Sequence, residues 1–350
     1  MWLLAAACGG GGPPPARPAA PAVDARTAEK DAKGLVVEIF ETIDRGSIDS
    51  MFSLLADPLT VLGPRRADAM ATRSDALVAL GKVIDPRSKK PPQLRSTALA
   101  VAVSPGGRSA WAFDVVHFEG HTIAVTAILS NASDLWSVTT AALALVPGAA
   151  RAKAESARDA IVPPGAAARG TVDPAAAGVI ADWKKGLLDQ DSWGIELMSQ
   201  SDAIYAGPTA GQVAHGKQAI KQLWKARTKA NVREAVSGGI TAAITPDGQL
   251  AWLSAPVTRV ADGEDPLPLR SFAVYEKDGA AWRLILLHEG LAIDAPGSGT
   301  AYKKIVPPAP ALPRAEPARP DDPKPSDTAT AKAKPAKKKK SKPKPKTDGP

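Results

Sequence analysis

The sequence is poor in the residues that build covalent cross-links and metal sites. It has one cysteine among 350 residues, Cys8, which excludes an intramolecular disulfide and a cysteine-based metal site. Its four histidines, His117, His121, His215 and His288, show no spacing typical of metal ligands. We therefore expect neither a metal nor another cofactor.

Aromatic residues are also scarce, at 5% of the chain, whereas proline and glycine number 33 and 29. A hydrophobic content of 44% is still enough for folded cores, so many prolines are expected to lie outside them. No run of about 18 apolar residues occurs, which predicts that no helix spans a membrane.

The net charge of +8 arises in the C-terminal tail. Residues 301–350 contain 14 Lys or Arg and 5 Asp or Glu, so the other 300 residues contain 30 and 31. A neutral body gives no indication of specific nucleic-acid binding. Residues 297–350 are predicted to be a disordered tail, rich in proline and lysine, whose charge allows weak contact with anionic polymers.

The chain begins with a short apolar run, MWLLAAA, which is followed by Cys8 and by glycines at residues 9–12. This pattern resembles the end of a bacterial lipoprotein signal, in which the cysteine is lipidated. We interpret residues 1–26 as this signal and a Gly/Pro/Ala tether. Cys8 is the expected lipid anchor, and this anchor is the only contact with a membrane that we expect. The protein is then expected in the bacterial cell envelope. The alternative is an alanine-rich terminus with an incidental cysteine.

The chain repeats itself internally. The segment SPGGRSAW at residues 104–111 matches TPDGQLAW at residues 245–252, a shift of 141. Trp136 matches Trp282 at a shift of 146, and the tripeptides LGP at residue 62 and AGP at residue 206 match at a shift of 144. The sequence IVPP begins at residues 161 and 305. These matches predict two copies of one module at residues 27–147 and 172–296, with residues 148–171 between them.

Each copy is predicted to begin with two helices and a short strand that ends at the Gly-Pro pair, followed by a third helix and then by further strands. The helical patterns cover residues 28–44, 47–56 and 74–84, and then 174–188, 192–199 and 215–228. Asp173 is the expected N-cap before Pro174. Four strands rich in Val, Ile, Leu and Ala follow in each copy, separated by turns that contain Gly and Pro. This order predicts an α+β fold with three helices packed on a curved, mainly antiparallel sheet.

The order of elements and several residues resemble the SnoaL-like, nuclear transport factor two-like superfamily. The second copy carries the resemblance through Gly207-Pro208, the segment HGKQAI from His215, Arg270-Ser271 and the segment WRLILLH that ends at His288. The resemblance implies two tandem cone-shaped modules, each with a pocket between helices and sheet.

Superfamily members that act as ketosteroid isomerases keep a catalytic carboxylate at the end of the first strand. This chain has Gly63 and Gly207 at the corresponding positions, so that base is missing from both copies. We therefore assign no catalytic residue.

A polar pocket is expected in the second copy alone, with the lining residues Arg270, His288, Tyr205, Trp252 and Trp183. The first copy has Ala124 and Ala142 where the second has Arg270 and His288, so its pocket is expected to be degenerate. A guanidinium beside an imidazole is suited to a small carboxylate. Regular strand alternation would place Trp282, Leu284, Leu286 and His288 on one face. For each pocket residue the alternative is a structural position in the core or on the surface.

These observations predict a non-catalytic envelope protein that binds a small carboxylate or a protein partner. One alternative is an enzyme of the hydratase or isomerase type that uses His288 in the second copy. Another is a structural anchor whose basic tail touches an anionic surface. A collapsed pocket in the second copy would leave only the interaction roles.

Overall fold

The computed structural model describes residues 24–63, 69–81, 93–118, 121–132, 134–148, 170–264 and 266–292, all within one compact unit. We refer to residues 24–148 as the first half and to residues 170–292 as the second half. Cys8, the tail at residues 297–350 and both IVPP segments lie outside the described residues.

The first half begins with helix α1, Ala25–Asp44, which is capped by the carboxylate of Asp24 accepting from the backbone N–H of Thr27. A 3-10 turn at Ile48–Ser53 follows. The remaining elements are β1 (Leu55–Leu62), β2 (Ala69–Met70), helix α2 (Arg73–Gly81), β3 (Leu94–Ser96), β4 (Ala100–Val103), β5 (Ser109–Phe118), β6 (His121–Ser130) and β7 (Ser137–Leu145).

The second half begins with a 3-10 turn at Pro174–Ala176, where Asp173 accepts from the backbone N–H of Ala175, as its predicted role as an N-cap requires. The remaining elements are α3 (Ala177–Leu188), α4 (Gln190–Ser199), β8 (Ile204–Ala206), β9 (Val213–His215), α5 (Gly216–Lys229), β10 (Arg233–Val236), β11 (Thr241–Ile244), β12 (Leu250–Val260), β13 (Leu267–Asp278) and β14 (Ala281–Leu291).

The predicted second helix of the first half is replaced by the 3-10 turn. Residues 55 and 56, which were expected to be helical, belong to β1. Leu55 pairs in parallel with Val138 of β7, so the strand begins too early for a full α-helix to form before it. Among the described residues, the first half thus has two α-helices where three were predicted.

The described strands form one sheet in the order β10-β12-β13-β14-β7-β6-β5-β3, and most neighbours are antiparallel. Its two halves have the same register: Ala124 pairs with Ala144, and Arg270 pairs with Gly290, each number being larger by 146 in the second half. A β-bulge interrupts both registers at matching places, after Ile128 and after Val274. The internal repeat is therefore also a repeat of strand pairing.

Three apolar clusters define the layers. One lies between α1 and the strands of the first half, and a second lies between α3, α4, α5 and the strands of the second half. The third, which we call the inter-half cluster, combines buried residues from both halves, including Trp111, Phe113, Trp252 and Phe272. The long strands thus have one face toward helices and the other toward the opposite half. No described helix is both long and apolar enough to cross a bilayer.

Candidate functional site

Four charged side chains form a buried network between the helices and the sheet of the second half. α5 contributes Arg227, β10 Glu234, β12 Arg259 and β14 Glu289. Both glutamate side chains have no exposed surface, and the arginine side chains are 5% and 10% exposed. Because isolated charges are costly to bury, such a group has to be paired internally.

Each guanidinium in the network contacts both carboxylates. Arg227 donates from Nη2 to Oε1 of Glu234 at 2.6 Å and from Nη1 to Oε2 of Glu289 at 2.9 Å. Arg259 donates from Nε to the same Oε1 of Glu234 at 2.8 Å, and its Nη2 donates to Oε2 of Glu289. Two positive and two negative groups therefore close a ring of ion pairs with no net charge.

Neighbouring side chains complete the shell around Arg227. The hydroxyl of Tyr205 donates to Oε2 of Glu289 at 2.8 Å and accepts from Nη1 of Arg227 at 3.0 Å. The amide oxygen of Gln190 accepts from Nε of Arg227 at 3.2 Å. The guanidinium carbon also lies 5.1 Å from the ring centroid of Trp224, within the range of a cation–π contact.

The network gives its two carboxyl groups different acidities. Although burial favours the protonated acid, Arg227 and Arg259 hold the pKa of Glu289 down at about 2. Burial raises the pKa of Glu234, and the charge of Glu289 adds to that effect. Burial likewise raises the pKa of Tyr205, so its hydroxyl keeps the proton that it donates to Glu289. Glu289 is therefore the fixed anion of the network.

Two of these residues are charged side chains at positions where the sequence pattern predicts a buried apolar residue, and this pattern could have indicated the network. Arg227 follows Ile220 and Trp224 on the buried face of α5, at a position where helical periodicity calls for an apolar residue. Glu289 lies in a strand whose residues from Leu284 onward are all buried. A charged residue at a core position requires an internal partner of opposite charge, although the pattern alone does not say which.

The space between the helices and the sheet is therefore occupied by the chain's own carboxylates. A pocket of about 590 Å³ lies elsewhere, on the surface where α4 ends and α5 begins, and Met198, His215 and Lys217 are among its lining residues. The described residues contain no group of three or more potential metal ligands. The network can keep four charged side chains in the core and stabilise the fold. Its two guanidiniums are already paired with the carboxylates of Glu234 and Glu289.

The structure divides the five predicted pocket residues between the two faces of the sheet. Tyr205 and Trp183 belong to the cluster on the helix side of the second half. Trp252 belongs to the inter-half cluster, and Arg270 and His288 share its sheet face. The five residues therefore do not line one pocket between helix and sheet.

His288 lies against the first half of the chain. Its Nδ1 is 3.0 Å from Oγ1 of Thr126, and its ring meets that of Phe113 edge to face at a centroid distance of 5.9 Å. The residue is 2% exposed, and burial lowers the pKa of His288 to about 4. Arg270 donates from Nη1 to the backbone carbonyl of Gly63. Both side chains thus contact the first half.

The β-bulge explains why strand alternation misplaced His288. Tyr275 pairs with Leu284 and Val274 pairs with Leu286, so Ile285 is the extra residue. Leu284 and Trp282 consequently pack on the helix side, whereas Leu286 faces the opposite half. The four residues expected on one face are split after Leu284.

No protein-family model and no curated protein sequence matches the chain. Solved structures of NTF2-like and cystatin-like proteins are similar to about a third of it. A candidate dehydratase of the NTF2-like family from Streptomyces avermitilis is 14% identical, with 35% of this chain and 99% of that chain covered and a TM-score of 0.30. An NTF2-like protein of unknown function from Pseudomonas putida KT2440 is 14% identical, with 36% and 92% covered and a TM-score of 0.31. A protein with a cystatin-like fold from Caulobacter vibrioides is 11% identical, with 36% and 94% covered and a TM-score of 0.31.

Proposed function

We propose that the chain consists of two tandem cone-shaped modules of the nuclear transport factor two-like kind and works as a non-catalytic binding protein of the bacterial cell envelope. Its partner is a protein that recognises the outer surface. The shared strand register and the matching bulges of the two halves support the tandem organisation. The resemblance in sequence supports the kind of module.

The closed ion-pair network is the observation that supports binding outside the cone. A carboxylate ligand would have to displace Glu289, which accepts hydrogen bonds from Arg227, Arg259 and Tyr205 at once. Charge-assisted hydrogen bonds in a buried site are the strong ones, so this displacement is unfavourable. His288 is enclosed between the two halves and has no access to a substrate. A protein partner on the surface requires neither group.

A thermal-shift series with acetate, propionate and benzoate tests this proposal. The wild-type midpoint should not move relative to chloride at equal ionic strength, because the guanidiniums are already paired. Glu289→Ala opens a space between Arg227 and Arg259, and acetate should raise the midpoint of this variant. Ligand bound at ten times its Kd stabilises the folded state by about 1.4 kcal/mol, which corresponds to a shift of about 3–6 °C.

The matched control is the double variant Arg259→Ala/Glu289→Ala, in which acetate has only one guanidinium left to bind and should stabilise less. A carboxylate-specific rise in the wild-type midpoint would contradict the proposal and indicate a small-molecule site in the cone.

The envelope location is a separate part of the proposal and rests on the residues before and after Cys8. Expressed behind a complete signal sequence in a bacterial host, the mature protein should begin at Cys8 and partition into the detergent phase. Cys8→Ser should shift it to the aqueous phase, because a thioether-linked lipid is then absent. Equal partitioning of both proteins would rule out the anchor.

The second candidate function is an enzyme of the hydratase type in the second half, and it rests on Glu234. Burial raises the pKa of this carboxyl while that of Glu289 is lowered, and unlike acidities in neighbouring carboxyls are typical of acid–base pairs. Oε2 of Glu234 has no hydrogen-bond partner among the described residues. Turnover that Glu234→Gln abolishes would favour this function over binding alone.

A further inference from the structure

The two halves of the sheet meet at a local twofold axis. Leu145 of β7 pairs antiparallel with Leu291 of β14, and their numbers differ by the same 146 that relates the two registers. Ala144 and Gly290 are related by this shift as well, and a Cβ atom built on Gly290 would overlap that of Ala144. Residues that are equivalent in the two halves and also touch each other must lie beside the axis.

The contact at the axis fits only two unlike halves. Ala144 faces a glycine, which leaves room for its methyl group. A second copy of the first half in place of the second would set alanine against alanine, and their Cβ atoms would overlap. A second copy of the second half would set glycine against glycine and leave a gap. Close packing tolerates neither without a shift of the backbone.

A second unlike pair lies deeper in the inter-half cluster. Thr126 and His288 share a buried hydrogen bond of 3.0 Å. The shift of 146 relates them to Phe272 and Ala142, both of which are buried in the same cluster. One side of the axis thus has threonine with histidine, and the other has phenylalanine with alanine. Two copies of the second half would set His288 against Phe272, and its buried Nδ1 would lose its partner.

The third unlike contact joins the turns that begin the repeat. Oγ of Ser104 and Oγ of Ser109 both donate to Oδ2 of Asp247, across the two halves. At the shift of 141, the first half has Gly106 at the position of Asp247, and the second half has Leu250 at the position of Ser109. Ser104 corresponds to Thr245, which also has a hydroxyl, so two copies of the second half would cost Asp247 one of its two partners and bring its carboxylate against Leu250.

We infer that the inner sheet face of each half is an interaction surface specific for the other half of the same chain. All three contacts disfavour the pairing of two second halves, and the axial contact also disfavours the pairing of two first halves. The two halves of one chain therefore cover each other's inner face, and we expect a monomer. This inference rests on the tandem organisation proposed above and is independent of the protein-binding role, because its test requires neither partner nor ligand.

Exchange of the axial residues in the full chain tests the inference. Gly290→Ala should lower the thermal midpoint by about 5 °C or more, because overpacking a close contact destabilises. The double variant Ala144→Gly/Gly290→Ala moves the methyl group to the other side of the axis and should recover to within about 2 °C of Ala144→Gly. A midpoint that Gly290→Ala leaves unchanged or raises would overturn the contact, since alanine alone suits a strand better than glycine.

A second exchange covers the case in which Gly290→Ala does not fold. Thr126→Phe should lower the midpoint by crowding His288, and Thr126→Phe/His288→Ala should recover most of the loss by reproducing the Phe272–Ala142 pair. Light scattering on the wild type should give the monomer mass throughout a concentration series. Absence of recovery in both exchanges, or a wild-type dimer that Gly290→Ala dissociates, would overturn the inference.

Discussion

Replacement of Glu289 by glutamine is expected to lower the free energy of unfolding by about 3–5 kcal/mol. The variant keeps the size of the side chain and removes its charge, so Arg227 and Arg259 are left with Glu234 as their only carboxylate partner. An uncompensated charge at this depth has no water to replace the lost partner. Urea unfolding followed by tryptophan fluorescence measures the loss, because the apolar cluster between the helices and the sheet of the second half contains Trp183, Trp193 and Trp224.

The matched control is Glu41→Gln on the surface of α1. Glu41 pairs with Arg45 at 3.4 Å, but the two side chains are 61% and 58% exposed. An exposed pair of this kind contributes less than about 1 kcal/mol. Equal losses for the two variants would mean that the buried network is no more important than a surface ion pair.

A double substitution separates the cost of breaking the network from its net contribution. In Arg259→Met/Glu289→Met, one positive and one negative group are removed together, and Arg227 keeps its ion pair with Glu234. We expect this variant to be more stable than Glu289→Met alone, because replacing a complete buried pair with apolar side chains costs little or nothing. Additive losses would show that the two side chains do not interact.

The local elements could be predicted from the sequence because their signals are local. Helix α5 was expected at residues 215–228 and spans Gly216–Lys229, and the Asp173-Pro174 start of the second half has the expected cap. The helix that was predicted at residues 47–56 does not form, because the segment runs into strand β1, whose pairing with β7 decides the conformation. That pairing is a long-range interaction, and no local propensity describes it.

The site could not be predicted for the same reason. Arg227 and Glu289 are 62 residues apart, and no motif relates guanidinium and carboxylate partners at such a distance. The chemistry expected between the helices and the sheet of the second half, a guanidinium paired with a carboxylate, is present there, but with residues other than Arg270 and His288. The face of His288 depends on the bulge at Ile285, which reverses the side of every following residue in β14, whereas Arg270 lies on the neighbouring strand β13.

The stability of the protein should depend on pH through His288. Burial lowers the pKa of His288 to about 4 in the folded state, against an ordinary value of 6.5. Between these two values the unfolded chain binds a proton that the folded chain does not, so the folded state loses stability as the pH falls from about 6.5 to 4. A shift of this size corresponds to about 3 kcal/mol when the whole window is crossed. Above pH 6.5 the contribution is complete and constant.

His288→Gln isolates this contribution, because glutamine can hold the hydrogen bond to Thr126 and does not titrate. Between pH 7 and pH 4 the wild type should lose about 3 kcal/mol more of its free energy of unfolding than His288→Gln loses. Glu289 has a lowered pKa of about 2, so it also weakens the fold in acid, but it does so mainly below pH 4.5 and equally in both proteins. A difference that stays constant from pH 7 to pH 4 would mean that the folded protein admits a proton to His288. The imidazole would then be in contact with water, and its enclosure between the two halves would be refuted.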